Sequence, residues 1–282
     1  MKDMMELAQE AAWAGGKVLK QKLEHDRSFK LKGERDLVTE ADLASEEKIV
    51  PMIRKAFPSH SIVSEESPDL RTAASAEFQW FVDPLDGTTN FAHGFQEFAV
   101  SIGLAHMGKV ILGVVYKPVH EELFYARAGH GAFLNGRRIT VSEVPVLAEA
   151  LLVTGFPYDM KKEKKYNFDH LMNLERRVQA IRRLGSASLD LSYVACGRFD
   201  SYWESKLAPW DMAAGVILVA EAGGVVTDFQ GKPFSLTGGQ VVASNPKIHS
   251  KVLKVLSLGR SGMTAENSDL REKKRRSSNE QF

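Results

Sequence analysis

The chain is short of everything that would commit it to a disulfide scaffold, a membrane or a nucleic acid. It carries a single cysteine, Cys196, in 282 residues. No internal disulfide can form, which suits a reducing compartment. No apolar run reaches the roughly 18 to 20 residues of a membrane span. Charges interrupt the apolar pattern at the N-terminus, unlike a signal peptide. A soluble cytoplasmic chain is expected. Neither sign of charge dominates, the formal net charge being +1. That argues against nucleic acid as the main ligand. The eight histidines and the cysteine show no close spacing of the kind a zinc site needs. There is no internal repeat.

Hydrophobic residues make up 44% of the chain, enough for a sizeable core. Met4, Met5, Leu7, Ala8, Ala11, Ala12, Val18 and Leu19 recur at helical spacing, so residues 2–24 predict an amphipathic helix with ordinary core packing. Residues 30–36 read as a polar loop. Thr39 is an N-cap candidate with Glu40 and Asp42 in the first turn of a second helix. That helix stops at Pro58, and Pro51 should kink it or end it early. Strand 61–64, a polar loop at 69–78 and strand 79–82 follow. Strands at 98–106, 110–116, 122–126 and 132–139 then form an antiparallel meander, with Met107-Gly108 and Asn135-Gly136 as turns.

From about residue 145 the style changes to alternation. Strands at 150–154, 181–184, 199–203, 225–228 and 240–243 interleave with helices at 164–179, 186–195, 210–221 and 246–256. Alternation of this kind predicts α/β layering. Two lobes are expected, 1–145 and 146–257. Residues 258–282 lose all periodicity and read as a disordered tail. It contains the basic run Lys273, Lys274, Arg275, Arg276.

The run Asp83-Pro84-Leu85-Asp86-Gly87-Thr88 stands out. Pro84 stiffens the turn before any ligand arrives, and Gly87 lets the backbone come close to one. A helix starting near Thr88 would aim free N–H groups at an anion such as phosphate. Carboxylates plus a backbone carbonyl are hard oxygen ligands suited to Mg²⁺. Further acids sit at element boundaries: Glu65 and Glu66 after a strand, Asp211 at the head of an apolar helix, Asp42 in the first turn of another. Each alone reads as a cap or a solvated charge. All of them together read as a site.

Two stretches carry a resemblance: Trp80-Phe81-Val82-Asp83-Pro84-Leu85-Asp86-Gly87-Thr88-Thr89-Asn90-Phe91, and Trp210-Asp211-Met212-Ala213-Ala214-Gly215 continuing to Glu221-Ala222-Gly223-Gly224. With Leu37 to Asp42 and Ser64-Glu65-Glu66-Ser67 at matching spacing, residues 5–256 resemble the inositol monophosphatase family of lithium-sensitive, Mg²⁺-dependent phosphatases. The resemblance implies an αβαβα sandwich of the sugar-phosphatase type, usually dimeric, binding two or three Mg²⁺ ions. It implies Glu65, Asp83, Asp86, Asp211 and the Leu85 carbonyl as metal ligands, with Asp83 bridging. Thr88 with Asp42 would orient the attacking water. Asp86, Gly87, Thr88 and Asp211 would also face the phosphate monoester. Gly185, Ser186 and Ala187 match the segment lining the substrate hydroxyls, and Glu204 a position that hydrogen-bonds the ring.

Departures are Ser64 where the family commonly has Gly, and Ser186 in place of a frequent Thr. A family lysine near the third metal has no clean counterpart in residues 30–35. The implied substrate is myo-inositol monophosphate, with fructose bisphosphate, NADP and adenosine 3′,5′-bisphosphate as alternatives. With no Cys or His nucleophile in view, metal-activated water is the expected route. A different class of function is an interaction module docking RNA or the transcription machinery through the tail.

Overall fold

The computed structural model describes residues 3–25, 29–31, 37–67, 76–157 and 167–259. In chain order these form α1 (Met4–His25), β1 (Phe29–Leu31), β2 (Leu37–Thr39), α2 (Glu40–Ala56), β3 (Ser61–Ser64), β4 (Phe78–Asp86) and α3 (Thr88–Ala92). The strands β5 (Ala99–His106), β6 (Lys109–Lys117), β7 (Glu122–Arg127), β8 (Gly131–Leu134) and β9 (Arg137–Ile139) come next. The remainder is β10 (Leu151–Thr154), α4 (Phe168–Glu175), β11 (Ala180–Arg182), α5 (Ala187–Ala195), β12 (Ser201–Ser205), α6 (Pro209–Glu221), β13 (Val225–Thr227), β14 (Gln240–Ser244) and α7 (His249–Leu256).

Strands β3 to β9 make a seven-stranded sheet in sequence order, parallel between β3 and β4 and antiparallel beyond. A second, mixed sheet has the order β11-β10-β12-β14-β13. Helices α1 and α2 cover one face of the first sheet, and α5 and α6 fill the space between the sheets. The apolar residues of α7 and α4 cover the far face of the second sheet. The result is the five-layered αβαβα sandwich. The layer position explains the composition of each helix. Between two sheets there is no solvent face, so α5 is buried along its whole length and α6 from Met212 to Val219. The outer helices keep a polar side.

Both hairpin turns form as read. Met107 and Gly108, and Asn135 and Gly136, all take positive φ, the two-residue geometry that matches strand twist. Three local readings differ. First, α2 runs on past Pro51 to Ala56. Pro51 faces solvent, where the carbonyl it deprives of a partner can turn to water, while Ile49, Val50 and Ile53 hold the helix to the core. Second, Lys30 belongs to β1, paired with Val38, not to a loop. Third, the 164–179 helix is confined to Phe168–Glu175. The Gln179 N–H bonds the Ala150 carbonyl at 3.0 Å, drawing the chain into the sheet. The tail beyond residue 259 and most of the 69–78 loop lie outside the described residues.

Candidate active site

The site begins with a geometric problem. On a regular strand, residues three apart point to opposite faces, so Asp83 and Asp86 of β4 should diverge. The ladder to β5 solves it. Asp83 pairs with Ser101 and Asp86 with Ala99, so the β4 residues Pro84 and Leu85 oppose the single residue Val100. Proline has no N–H for the ladder, so it suits such a bulge. The extra residue restores both carboxylates to one side. Asp86 is among the neighbours whose negative charge raises the Asp83 pKa. The Leu85 N–H donates to Asp83 Oδ1 at 3.0 Å. Gly87 follows at φ 95, where a Cβ would meet the Glu97 carbonyl oxygen at 2.8 Å.

Neighbouring elements bring the other acids. Ser64 is in register with Val82 on the parallel strand β3, and the Glu65 N–H donates to the Val82 carbonyl at 3.1 Å. Glu65 therefore stands beside Asp83. Asp211 lies in the first turn of α6, its Oδ2 accepting from the Ala208 N–H at 2.7 Å. Ser101, the partner of Asp83, donates to the Trp210 carbonyl at 3.2 Å and ties that helix end to the bulge. Asp42 caps α2, accepting from the Thr39 N–H and hydroxyl at 2.8 and 2.6 Å. Ser45 of the same helix donates to the Pro84 carbonyl at 2.9 Å. Thus Asp42 and Asp211 are indeed helix caps, and the packing aims both at one place.

Electrostatics record the convergence. Burial first, then Glu65, Asp86 and Asp211, push the Asp83 carboxyl well above the usual carboxylate range. Burial first, then Asp86 and Glu65, do the same to Asp211. Asp86 is also raised by burial, against hydrogen bonds from Ser186 and Ser188. The Ser186 hydroxyl and the Ser188 N–H both reach Asp86 Oδ2 at 2.7 Å. Among the described residues, no Lys or Arg figures among the leading causes for these three acids.

Among the described residues, no three acidic, His or Cys side chains are gathered tightly enough to cage an ion as they stand. Like charges in a low-dielectric setting oppose a closer approach. The donor set, grouped carboxylate oxygens with the Leu85 carbonyl beside them, nevertheless fits a hard divalent cation.

Thr88 begins α3. Its hydroxyl donates to Asp42 Oδ1 at 3.0 Å and lies 3.1 Å from the Leu85 carbonyl oxygen. Beside the acids opens a cavity of about 360 Å³ lined by Asp86, Gly185, Ser186, Ala187, Glu204 and Asp211, together with Asn90, Gly155, Phe156 and Arg183. Asp42, Glu65, Asp83, Leu85, Gly87 and Thr88 lie outside that lining. Burial pushes the Glu204 carboxyl up to about 7, opposed by the Tyr202 hydroxyl, which donates to Oε2 at 2.6 Å. A larger groove of about 1030 Å³ contains none of the site acids.

Some contributors escaped the sequence. Ser188 supplies a backbone donor, which no side-chain motif marks. Tyr202 sits two residues before Glu204 on one strand, so alternation could have placed both on one face. Asn90 lay within the first signature. Its amide donates to the Glu97 and Leu184 carbonyls at 2.6 and 2.8 Å, bracing both sides of the cavity. Gly155, Phe156 and Arg183 had no local signal.

Acids converging at the end of a bulged strand, beside a polar cavity, are suited to phosphoryl chemistry. Comparison with known proteins makes the class definite: the chain is a phosphoric monoester hydrolase. A family model described as the inositol monophosphatase family matches residues 1–258, and the chain belongs to that family. It is 44% identical to an inositol-1-monophosphatase of Synechocystis, covering 90% of this chain and 88% of that protein. It is also 44% identical to Nus factor SuhB of Pseudomonas aeruginosa, over 91% of this chain and 96% of the relative. The solved inositol monophosphatase of Anabaena superposes with a TM-score of 0.83 at 44% identity, covering 90% and 95% of the two chains. The family is generally metal-dependent. No helix among the described residues is long and apolar enough to cross a membrane.

Proposed function

We propose that the protein is a Mg²⁺-dependent phosphatase that converts myo-inositol monophosphate to inositol and phosphate. The observation that carries this reading is the mutual electrostatic coupling of Asp83, Asp86, Asp211 and Glu65. Such a cluster repels a phosphate dianion unless cations stand between them. Glu65, Asp83, Asp86, Asp211 and the Leu85 carbonyl would hold two or three ions. Bound there, Mg²⁺ supplies Lewis acidity and lowers the pKa of water.

The chain's own residues do the rest. The Thr88 hydroxyl gives its proton to Asp42 and keeps lone pairs free to accept from, and so orient, the attacking water. Asp42 is fully buried and held by Thr39, so Thr88 starts from one orientation. Gly185, Ser186 and Ala187 line the space for the substrate hydroxyls. Glu204 retains acceptor capacity for a ring hydroxyl beside its bond from Tyr202.

A second substrate reading rests on Arg183. Among the described lining residues it is the one Lys or Arg, and its guanidinium lies 5.0 Å from the Phe156 ring centroid. A cation there suits a second anionic group, as in fructose bisphosphate, adenosine 3′,5′-bisphosphate or NADP. Phosphate release from a panel of sugar and nucleotide phosphates, with and without Mg²⁺, decides. A kcat/KM at least about tenfold higher for one of the doubly anionic compounds would displace inositol monophosphate as the substrate.

The enzyme acts in the cytoplasm as a homodimer and is inhibited by lithium. A separate role in transcription draws on relatives named Nus factor and on the basic run at 273–276. Truncation after residue 257 tests it: phosphatase activity should persist while RNA retention at physiological salt is lost. Absence of RNA retention by the full chain removes this role.

A further inference from the structure

We propose that Asn167 is a positioning residue that sets the ring-binding wall of the cavity by locking Gly155 against Glu204. This rests on the reading of Glu204 as the ring acceptor.

Strands β10 and β12 run parallel, and their last paired residues are Thr154 and Trp203. The next residue of each chain, Gly155 and Glu204, lines the cavity. These two cannot be treated separately. A Cβ on residue 155 would overlap both carboxyl oxygens of Glu204. The bare backbone of Gly155 is thus the surface on which the Glu204 carboxyl rests, and its position fixes how far that carboxyl reaches into the cavity.

Asn167 fixes that position from behind. It is 5% exposed and is not part of the lining. Its Nδ2 donates to the Gly155 carbonyl at 2.8 Å and to Thr154 Oγ1 at 3.0 Å. Its Oδ1 accepts from Trp203 Nε1 at 2.7 Å. The Thr154 hydroxyl closes the ring by donating to the Trp203 carbonyl at 2.7 Å. Two acceptors face one end of the amide and one donor the other, so only one amide orientation satisfies the network. The network therefore ties the end of one strand to the end of the other, where the ladder itself stops. An apolar side chain at 167 would leave the Trp203 N–H buried without a partner and the Gly155 carbonyl with only the long contact from the Thr154 hydroxyl at 3.4 Å.

The test uses the full chain with Mg²⁺ and two substrates, myo-inositol 1-phosphate and the ring-hydroxyl-free p-nitrophenyl phosphate. Asn167→Ala should raise KM for the inositol ester about tenfold, the effect of one misplaced hydrogen-bonding group. Its kcat should stay within about twofold, and both constants for the aryl ester should hold. Asn167→Asp keeps the acceptor for Trp203 and loses the donor to Gly155, so its KM should fall between. It also serves as the readout if the alanine variant does not fold. Gly155→Ala should reproduce the selective KM rise with the Asn167 bonds intact. A rise of equal size on both substrates, or an unchanged KM for the inositol ester, overturns the proposal. Glu204→Gln separates the two claims. If it leaves KM for the inositol ester unchanged, the ring-acceptor reading fails and takes Asn167 with it. If it raises KM and Asn167→Ala does not, the positioning role alone fails.

Discussion

The cavity has two walls built on opposite principles. The acid wall, Asp86 and Asp211 with Asp83 and Glu65 behind, keeps its carboxylates in mutual repulsion. The ring wall, Gly155, Glu204 and Tyr202, has its polar groups matched by Asn167, Thr154 and Trp203. The acid wall concentrates negative charge that a cation would relieve, whereas the ring wall has its hydrogen bonds already made. The contrast implies that chemistry and selectivity can change independently. The acid wall comes from short motifs at helix starts and one bulge, so it persists as a unit. The ring wall depends on side chains brought together from residues 154, 167 and 203, so substitutions there retune selectivity without touching the acids.

Breaking the acid wall should have the largest effect. Asp83→Asn removes the charge shared by the proposed ions and should lower kcat on the order of 10³-fold or more, read as phosphate release at saturating substrate. Retention of wild-type turnover would exclude the ligand set. Chelation should abolish turnover reversibly, with Mg²⁺ restoring it. It should also lower Tm, since a ligand at a hundred times its Kd stabilises by about 2.7 kcal/mol. A Tm indifferent to both additions would mean that the acids hold no ion. Thr88→Ala removes the hydroxyl held by Asp42 and should cost about 10²-fold in kcat with KM nearly constant. A KM effect instead would make Thr88 a binding residue.

On the ring wall, Glu204→Gln should leave kcat within a few-fold and raise KM for the inositol ester roughly tenfold.

The smallest effect concerns a residue behind both walls. Asp190 is buried, with neither carboxyl oxygen hydrogen-bonded among the described residues. Burial first, then Glu204, Asp86 and Glu97, hold its pKa well above the carboxylate range. The native state therefore keeps a proton that the unfolded chain releases above about pH 3.9. This group's contribution is full below that pH and is lost as pH rises toward the folded pKa. Asp190→Asn is neutral throughout, so its Tm advantage should grow from near zero at pH 4 to a few degrees at pH 8. An advantage independent of pH would rule out the titration.

Much of the fold was legible because it is local. The Thr39–Asp42 cap, the Met107-Gly108 and Asn135-Gly136 turns and the apolar run from Met212 to Ala220 in α6 each announce themselves within a few residues. Pro51 misled because proline's cost inside a helix depends on whether its face meets water or the core, which local sequence does not state. The end of α4 misled for a similar reason, since the pull of β10 on Gln179 is a long-range hydrogen bond. In the site, the acids were legible as types and spacings, and Gly185, Ser186, Ala187 and Glu204 only through the family resemblance.

By itself the sequence determined the stock of carboxylates, the turn that carries Asp83 and Asp86 and the helix starts that carry Asp42 and Asp211, because capping and turn chemistry act over three or four residues. The tertiary structure alone decided that a bulge turns Asp83 and Asp86 to one side and that Gly155 lies directly beneath the Glu204 carboxyl. It alone closed the Asn167 network across two strand ends. Those outcomes depend on where distant segments pack, and no periodicity along the chain encodes a distance between them.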